Sequence, residues 1–193
     1  MKYAVLIRHG ESYTNRNGIL STELNKYRLT EEGIEQARFT GEQLKGLKFD
    51  GIVSSPVLRA VETAHIINQY LNLDIVTDNR AIESDFGEYN GKRIVDIPDK
   101  SRNELGMESF QSQADRMISL INSYDGNYIV VSHSFPIRCV LAHYLGMDEE
   151  ESFGIDIRHA SMSTIDLTSQ KLLAIGSLLV SQRIKKILQI IEA

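Results

Sequence analysis

Arg8-His9-Gly10-Glu11 follows directly on the apolar run Tyr3-Ala4-Val5-Leu6-Ile7. A buried strand there delivers a guanidinium, an imidazole and a glycine to its own C-terminal end, where open α/β sheets bind ligands. Three further groups occupy equivalent places. Arg59 lies one turn into the helix expected after Gly51-Ile52-Val53-Ser54, Glu83 follows the short strand Asp74-Ile75-Val76-Thr77, and His133 follows Tyr128-Ile129-Val130-Val131-Ser132. If those strands are parallel, two arginines, two imidazoles and one carboxylate share a crevice. Phosphoryl transfer is the chemistry such a set permits. Its substrate is a dianion held in line with the nucleophile, so positioning and charge stabilisation do most of the work. Arg8 and Arg59 offer forked donors matched to phosphate oxygens. Neutral His9 can attack phosphorus through a ring nitrogen, and the arginines favour that form by repelling the protonated one. Glu83 can protonate the leaving alkoxide and then deprotonate incoming water. His133 can donate a hydrogen bond to the phosphate, more strongly if cationic, and N–H groups at a helix start near Ser134 add anion binding.

The elements that must position these groups alternate. Residues 2–8 read as a strand and residues 10–29 as a long polar loop. Thr30 is placed to cap a helix with Glu31 and Glu32 in its first turn. Ser55 is expected to cap the next helix, with Pro56 at its first position. A helix is expected over residues 109–123, and another after His133, running to about residue 145. Residues 163–167 and 171–175 read as a closing hairpin, and residues 178–191 as an amphipathic helix. The pattern predicts a three-layer α/β/α sandwich with a mostly parallel central sheet and an antiparallel edge. It reads as a single catalytic domain over residues 1–193, with 178–193 a C-terminal helix.

Composition narrows the function further. The 193 residues carry 21 Lys and Arg against 26 Asp and Glu, a net charge of -5. Nonspecific nucleic-acid binding needs a basic surface and is not expected. The single cysteine excludes an intramolecular disulfide and fits a reducing compartment. No stretch approaches the roughly 20 apolar residues of a membrane span. The expectation is a cytoplasmic protein acting on a small phosphorylated metabolite, with neither nucleic acid nor membrane as partner. Cys139 does not suit a Cys-x5-Arg phosphatase, because Leu145 stands where the arginine belongs. His9, Glu11, Glu83 and His133 lack compact metal-ligand spacing. His65, His143 and His159 read as structural or surface residues. The tail apolar residues Ile184, Ile187, Leu188 and Ile191 read as a cover over the core, with homodimer contact as the alternative.

An ordered set of segments resembles the histidine phosphatase superfamily, also called the phosphoglycerate mutase-like family. They are Arg8-His9-Gly10-Glu11-Ser12 with Asn15, Leu29-Thr30-Glu31-Glu32-Gly33, Ser54-Ser55-Pro56-Val57-Leu58-Arg59, Ile82-Glu83, Gly106-Met107-Glu108-Ser109, and Val131-Ser132-His133-Ser134 with Ile137-Arg138. The resemblance implies His9 as a phosphorylated nucleophile, with Arg8, Arg59 and His133 as the phosphate pocket. It implies Glu83 as proton donor, Asn15 as a phosphate or substrate contact, and no metal or cofactor. Two departures stand out. The family often has glycines after its second histidine, where this chain has Ser134-Phe135. Cofactor-dependent mutases of the family resemble Glu-Arg-His-Tyr-Gly at the acid, followed by an insertion with paired arginines; this chain has Glu83-Ser84-Asp85-Phe86-Gly87 and no such pair. That favours hydrolysis of phosphate monoesters. A cofactor-dependent phosphoglycerate mutase is the nearest rival, and a noncatalytic phospholigand-binding protein is the rival of another class.

Overall fold

In a computed structural model, which describes residues 1–189, the apolar runs assemble into one six-stranded sheet. The strands are β1 (Tyr3–Arg8), β2 (Gly51–Ser54), β3 (Ile75–Thr77), β4 (Asn127–Ser132), β5 (Met162–Asp166) and β6 (Lys171–Ser177), in the order β3-β2-β4-β1-β5-β6. β1 to β4 are parallel and β5 and β6 form the antiparallel edge, as the sequence predicts. Alternate residues of β1 enter different cores. Val5 and Ile7 join a cluster with Leu44, Ala60, Ile67, Ile184 and Leu188, whereas Ala4 and Leu6 join one with Met117, Leu120, Ile121, Ile137 and Leu141. A strand covered on both faces must be apolar throughout, which is why these runs do not alternate with polar residues. Each large aliphatic side chain so buried contributes about 1.5–3 kcal/mol.

The helices follow the capping signals where side chains serve as caps. α1 (Tyr13–Asn17) is a short turn inside the polar 10–29 segment, and α2 (Glu31–Leu44) begins as expected, the Thr30 hydroxyl accepting the Gly33 N–H at 3.1 Å. α4 (Phe110–Ser123) starts on Ser109 in the same way. α3 (Leu58–Asn68) starts later than expected: Ser55 is not its cap, and Pro56 lies before the helix. The first helical N–H, that of Leu58, is met at 2.7 Å by the carbonyl of Leu24 in the polar segment, so no side-chain cap is needed. α5 (Ser134–Leu145) follows β4 directly, and α6 (Glu149–Ser152) is a single turn. The tail helix is shorter than its apolar pattern: α7 spans Gln182–Leu188 on a Ser181 cap, with Ile184 and Leu188 buried against the core. Ile191, and the rest of the predicted helix beyond residue 189, lie outside the described residues. Among the described residues no helix is long and apolar enough to cross a membrane.

Candidate active site

β1 and β4 are neighbours with Arg8 opposite Ser132, so His9 and His133 leave adjacent strands side by side, their ring centroids 5.0 Å apart. β2 lies on the other side of β4, and α3 after it brings in Arg59. Arg59 is 3% exposed and ties the two rings together: Nε donates to His9 Nε2 at 3.1 Å and Nη2 to His133 Nδ1 at 3.2 Å. Nη2 also donates to the Ser21 carbonyl at 2.9 Å, so the polar 10–29 segment closes over the group. These partners fix the tautomers. The Gly10 carbonyl, 2.7 Å from His9 Nδ1, can only accept, so Nδ1 holds the proton and Nε2 keeps its lone pair. Arg59 can only donate, so His133 Nδ1 is the acceptor and its Nε2–H donates to Ser55 Oγ at 2.8 Å. Burial, then the charge of Arg59, pushes both imidazoles well below the usual histidine range. In this arrangement His133 is not among the residues lining the cavity and accepts from Arg59, and burial beside that guanidinium disfavours its cationic form.

Arg8, His9, Asn15, Arg59, Glu83 and Ser134 line one cavity of about 540 Å³. A larger hollow of about 790 Å³ beside Tyr13, Arg16 and Arg38 holds none of these groups. Arg8 donates from Nη1 to the Ile157 carbonyl at 2.7 Å, and burial lowers its pKa to about 10, leaving it charged at neutral pH. Among the described residues neither Arg8 nor Arg59 has a carboxylate within ion-pair distance, and Arg8 Nε and Arg59 Nη1 are buried without partners. Buried guanidiniums with free donors and no carboxylate in ion-pair contact make an anion site. Glu83 is 13% exposed, with Oε1 accepting the Ser84 N–H at 2.9 Å and Oε2 4.0 Å from His133 Nδ1. Burial raises its pKa against the opposing pull of the Ser84 N–H, Arg59 and Arg8, so it keeps its proton further toward neutrality. Its sequence neighbours Asp85 and Glu88 are exposed and do not line this cavity. The Asn15 amide oxygen accepts from the Ser12 N–H and hydroxyl at 3.0 and 2.8 Å, which leaves Nδ2 as its donor to the cavity. Ser134 is the first residue of α5, where main-chain N–H groups lack helical acceptors.

The loop bearing His9 is pinned from two sides. The Gly10 N–H donates to Thr63 Oγ1 at 3.1 Å, one turn along α3 from Arg59. On the other side the start of α2 approaches so closely that a Cβ on Gly33 would lie 2.0 Å from the Glu11 carbonyl oxygen, and one on Gly10 2.3 Å from that of Gly33. His159 corrects an expectation, because it lines the cavity with its ring centroid 6.2 Å from that of His9. Burial, then Arg8, lowers its pKa to about 4. The signal was available: an antiparallel β5 starts at the sheet edge where β1 ends. Arg138 and Phe153 also line the cavity, and nothing in their local sequence marks Phe153.

Two neutral imidazoles bridged by a buried guanidinium, at the carboxyl ends of a doubly covered parallel sheet, define an α/β protein built to handle phosphoryl groups. The family profile described as histidine phosphatase superfamily (branch 1) matches residues 4–175, and the chain belongs to that family. It is 39% identical over 199 residues to a 2,3-bisphosphoglycerate-dependent phosphoglycerate mutase of Thermoplasma acidophilum, covering 98% of this chain and all of that one. It is 29% identical to phosphoserine phosphatase 1 of Hydrogenobacter thermophilus, covering 86% and 87% of the two chains. Among solved structures, the phosphoserine phosphatase of Entamoeba histolytica in complex with 3-phosphoglyceric acid superposes with a TM-score of 0.78 over 95% of this chain and all of the other, at 23% identity.

Proposed function

We propose that this protein hydrolyses small phosphate monoesters through a phosphohistidine on His9, within one catalytic domain in the cytoplasm. The observation that carries the reading is the His9 Nε2 lone pair beside two buried arginines that, among the described residues, are in no carboxylate ion pair, in a cavity that also holds Glu83. Arg8 and Arg59 take the phosphoryl oxygens, and their charge is most useful where negative charge grows in the transition state. Nε2 attacks phosphorus as the P–O bond to the alcohol breaks. Glu83 passes its proton to the leaving oxygen, then takes one from the water that cleaves the N–P bond, releasing inorganic phosphate and restoring His9.

A second reading is favoured by the Thermoplasma relative. Chain length does not separate mutase from phosphatase, since that relative aligns end to end with this chain. Arg138 lines the cavity, its Nε has no hydrogen-bond partner among the described residues, and it is available to a second anionic group of the substrate. One experiment decides: the protein is incubated with monophosphoglycerates, with and without a bisphosphoglycerate, and both phosphate release and isomerisation are followed. Net phosphate release with an acid-labile label that disappears in His9→Ala supports the phosphatase. Isomerisation that needs the bisphosphate and releases no phosphate replaces it with the mutase.

A further inference from the structure

Glu83 faces open space on two sides. It lines the 540 Å³ cavity with His9 and a second hollow of about 650 Å³ with Asp85, Met107, Glu108 and Arg116. Side chains do not enclose its carboxyl on those two sides, and the hydrogen bond it accepts comes from the next main-chain N–H, that of Ser84, so its place depends on how the main chain is held. Arg116, on α4, donates from Nη2 to the Glu83 carbonyl at 3.1 Å and from Nη1 to the Arg80 carbonyl at 2.5 Å. The same guanidinium grips Glu108 as a fork, Nε to Oε1 at 2.8 Å and Nη2 to Oε2 at 3.0 Å. Glu108 in turn accepts the Asp85 N–H on Oε2 at 3.2 Å and donates its own N–H to the Asp85 carbonyl at 2.8 Å. The chain on both sides of Glu83 is thus tied to one ion pair. The two side chains are 19% and 13% exposed, and shielded pairs of this kind add little net stability because desolvation offsets their attraction. What a two-pronged pair does supply is fixed geometry.

The geometry points to Arg116 and Glu108 as positioning residues for the proton donor, acting on the reaction only through where they hold the Glu83 carboxyl. The inference rests on the phosphatase reading above. Its test compares kcat/KM for an alkyl phosphate and for 4-nitrophenyl phosphate, since kcat/KM reports the steps up to departure of the alcohol. A nitrophenolate leaves without a proton, whereas an alkoxide needs one. Arg116→Lys keeps the charge and loses the fork; Glu108→Gln keeps the shape and loses the charge. Each is expected to lower the alkyl value by about 30-fold, part of the roughly 10²–10⁴-fold that a general acid supplies, and the nitrophenyl value by less than about 3-fold. Inhibition by inorganic phosphate stays as in the parent. In a Glu83→Gln background, Arg116→Lys costs no more than about 2-fold further, because its effect runs through the group already removed. Equal losses on both substrates, additive losses in the double variant, or loss of fold or phosphate inhibition in both single variants would overturn the assignment. If Glu83→Gln discriminates between the substrates and Arg116→Lys does not, the positioning role alone fails. If Glu83→Gln does not discriminate, the proton-donor reading beneath it fails as well.

Discussion

Gly33→Ala sets helix propensity against steric fit at a residue that does not line the cavity. Gly33 is in the first turn of α2, and alanine there gains at most about 1 kcal/mol of helix propensity. The new Cβ, however, would sit 2.0 Å from the Glu11 carbonyl oxygen, with the Glu11 carbonyl carbon and nitrogen each at 2.8 Å. These are main-chain atoms, and the Glu11 carbonyl is also held by the Thr30 N–H at 2.9 Å, so no flexible side chain can give way. To reach the roughly 3.3 Å that a C–H···O contact tolerates, the two backbones must part by about 1.3 Å. Overpacking of that size costs about 2–3 kcal/mol. The net loss is then about 1–2 kcal/mol, or roughly 2–8 °C in Tm for a chain of this length. The moved segment includes Gly10, whose carbonyl orients the His9 ring, and a 1 Å misplacement is worth about 10²-fold in rate. Thermal melts and rapid-quench measurement of phosphoenzyme formation read both effects. An alanine variant that melts above the parent and forms phosphoenzyme at the parent's rate would show that propensity wins and that the close approach does not position the histidine.

The pH dependence of kcat/KM for an alkyl phosphate is expected to be bell-shaped: it needs His9 unprotonated, above its lowered pKa, and Glu83 protonated, below its raised one. Glu83→Gln should remove the alkaline limb and keep the acid limb; an alkaline limb that survives the change rules out Glu83 as its source. Stability should fall as the pH drops from about 7 to 5, since unfolding frees His9, His133 and His159 to bind protons near the ordinary histidine value of about 6.5 while the fold holds all three lower. Glu83 works in the opposite sense, its contribution being fully present below its unfolded pKa and lost as the pH rises through the raised folded one, but it is one group against three. A Tm that stays level over that interval would contradict the burial of those rings.

What could be read from the chain follows from where its information is local. The runs at residues 3–7 and 128–132 are apolar throughout because both faces of β1 and β4 are covered, and the charged groups after them fall at one sheet end by topology alone. Thr30 signalled its helix because its own hydroxyl does the capping. Ser55 misled because its hydroxyl serves His133 and the Val57 N–H, while α3 takes its first acceptor from Leu24, over thirty residues away. His159 was passed over because an antiparallel strand brings its beginning, not its end, to the site. Arg116 carried no signal at all: its meaning lies in carbonyls at positions 80 and 83, which no spacing on α4 encodes.

The proton on His9 Nδ1 is assigned by a peptide carbonyl, not by an acidic side chain. Since every residue has such a carbonyl, no single base change in the gene can delete this acceptor. The tautomer of the imidazole therefore does not depend on keeping any acidic side chain, and is exposed instead to anything that tilts the local peptide plane. Selection on the orientation of the ring acts instead on the small residues that let the neighbouring helix come near, so tolerance to substitution should be lower at those glycines than at many side chains that touch the ring.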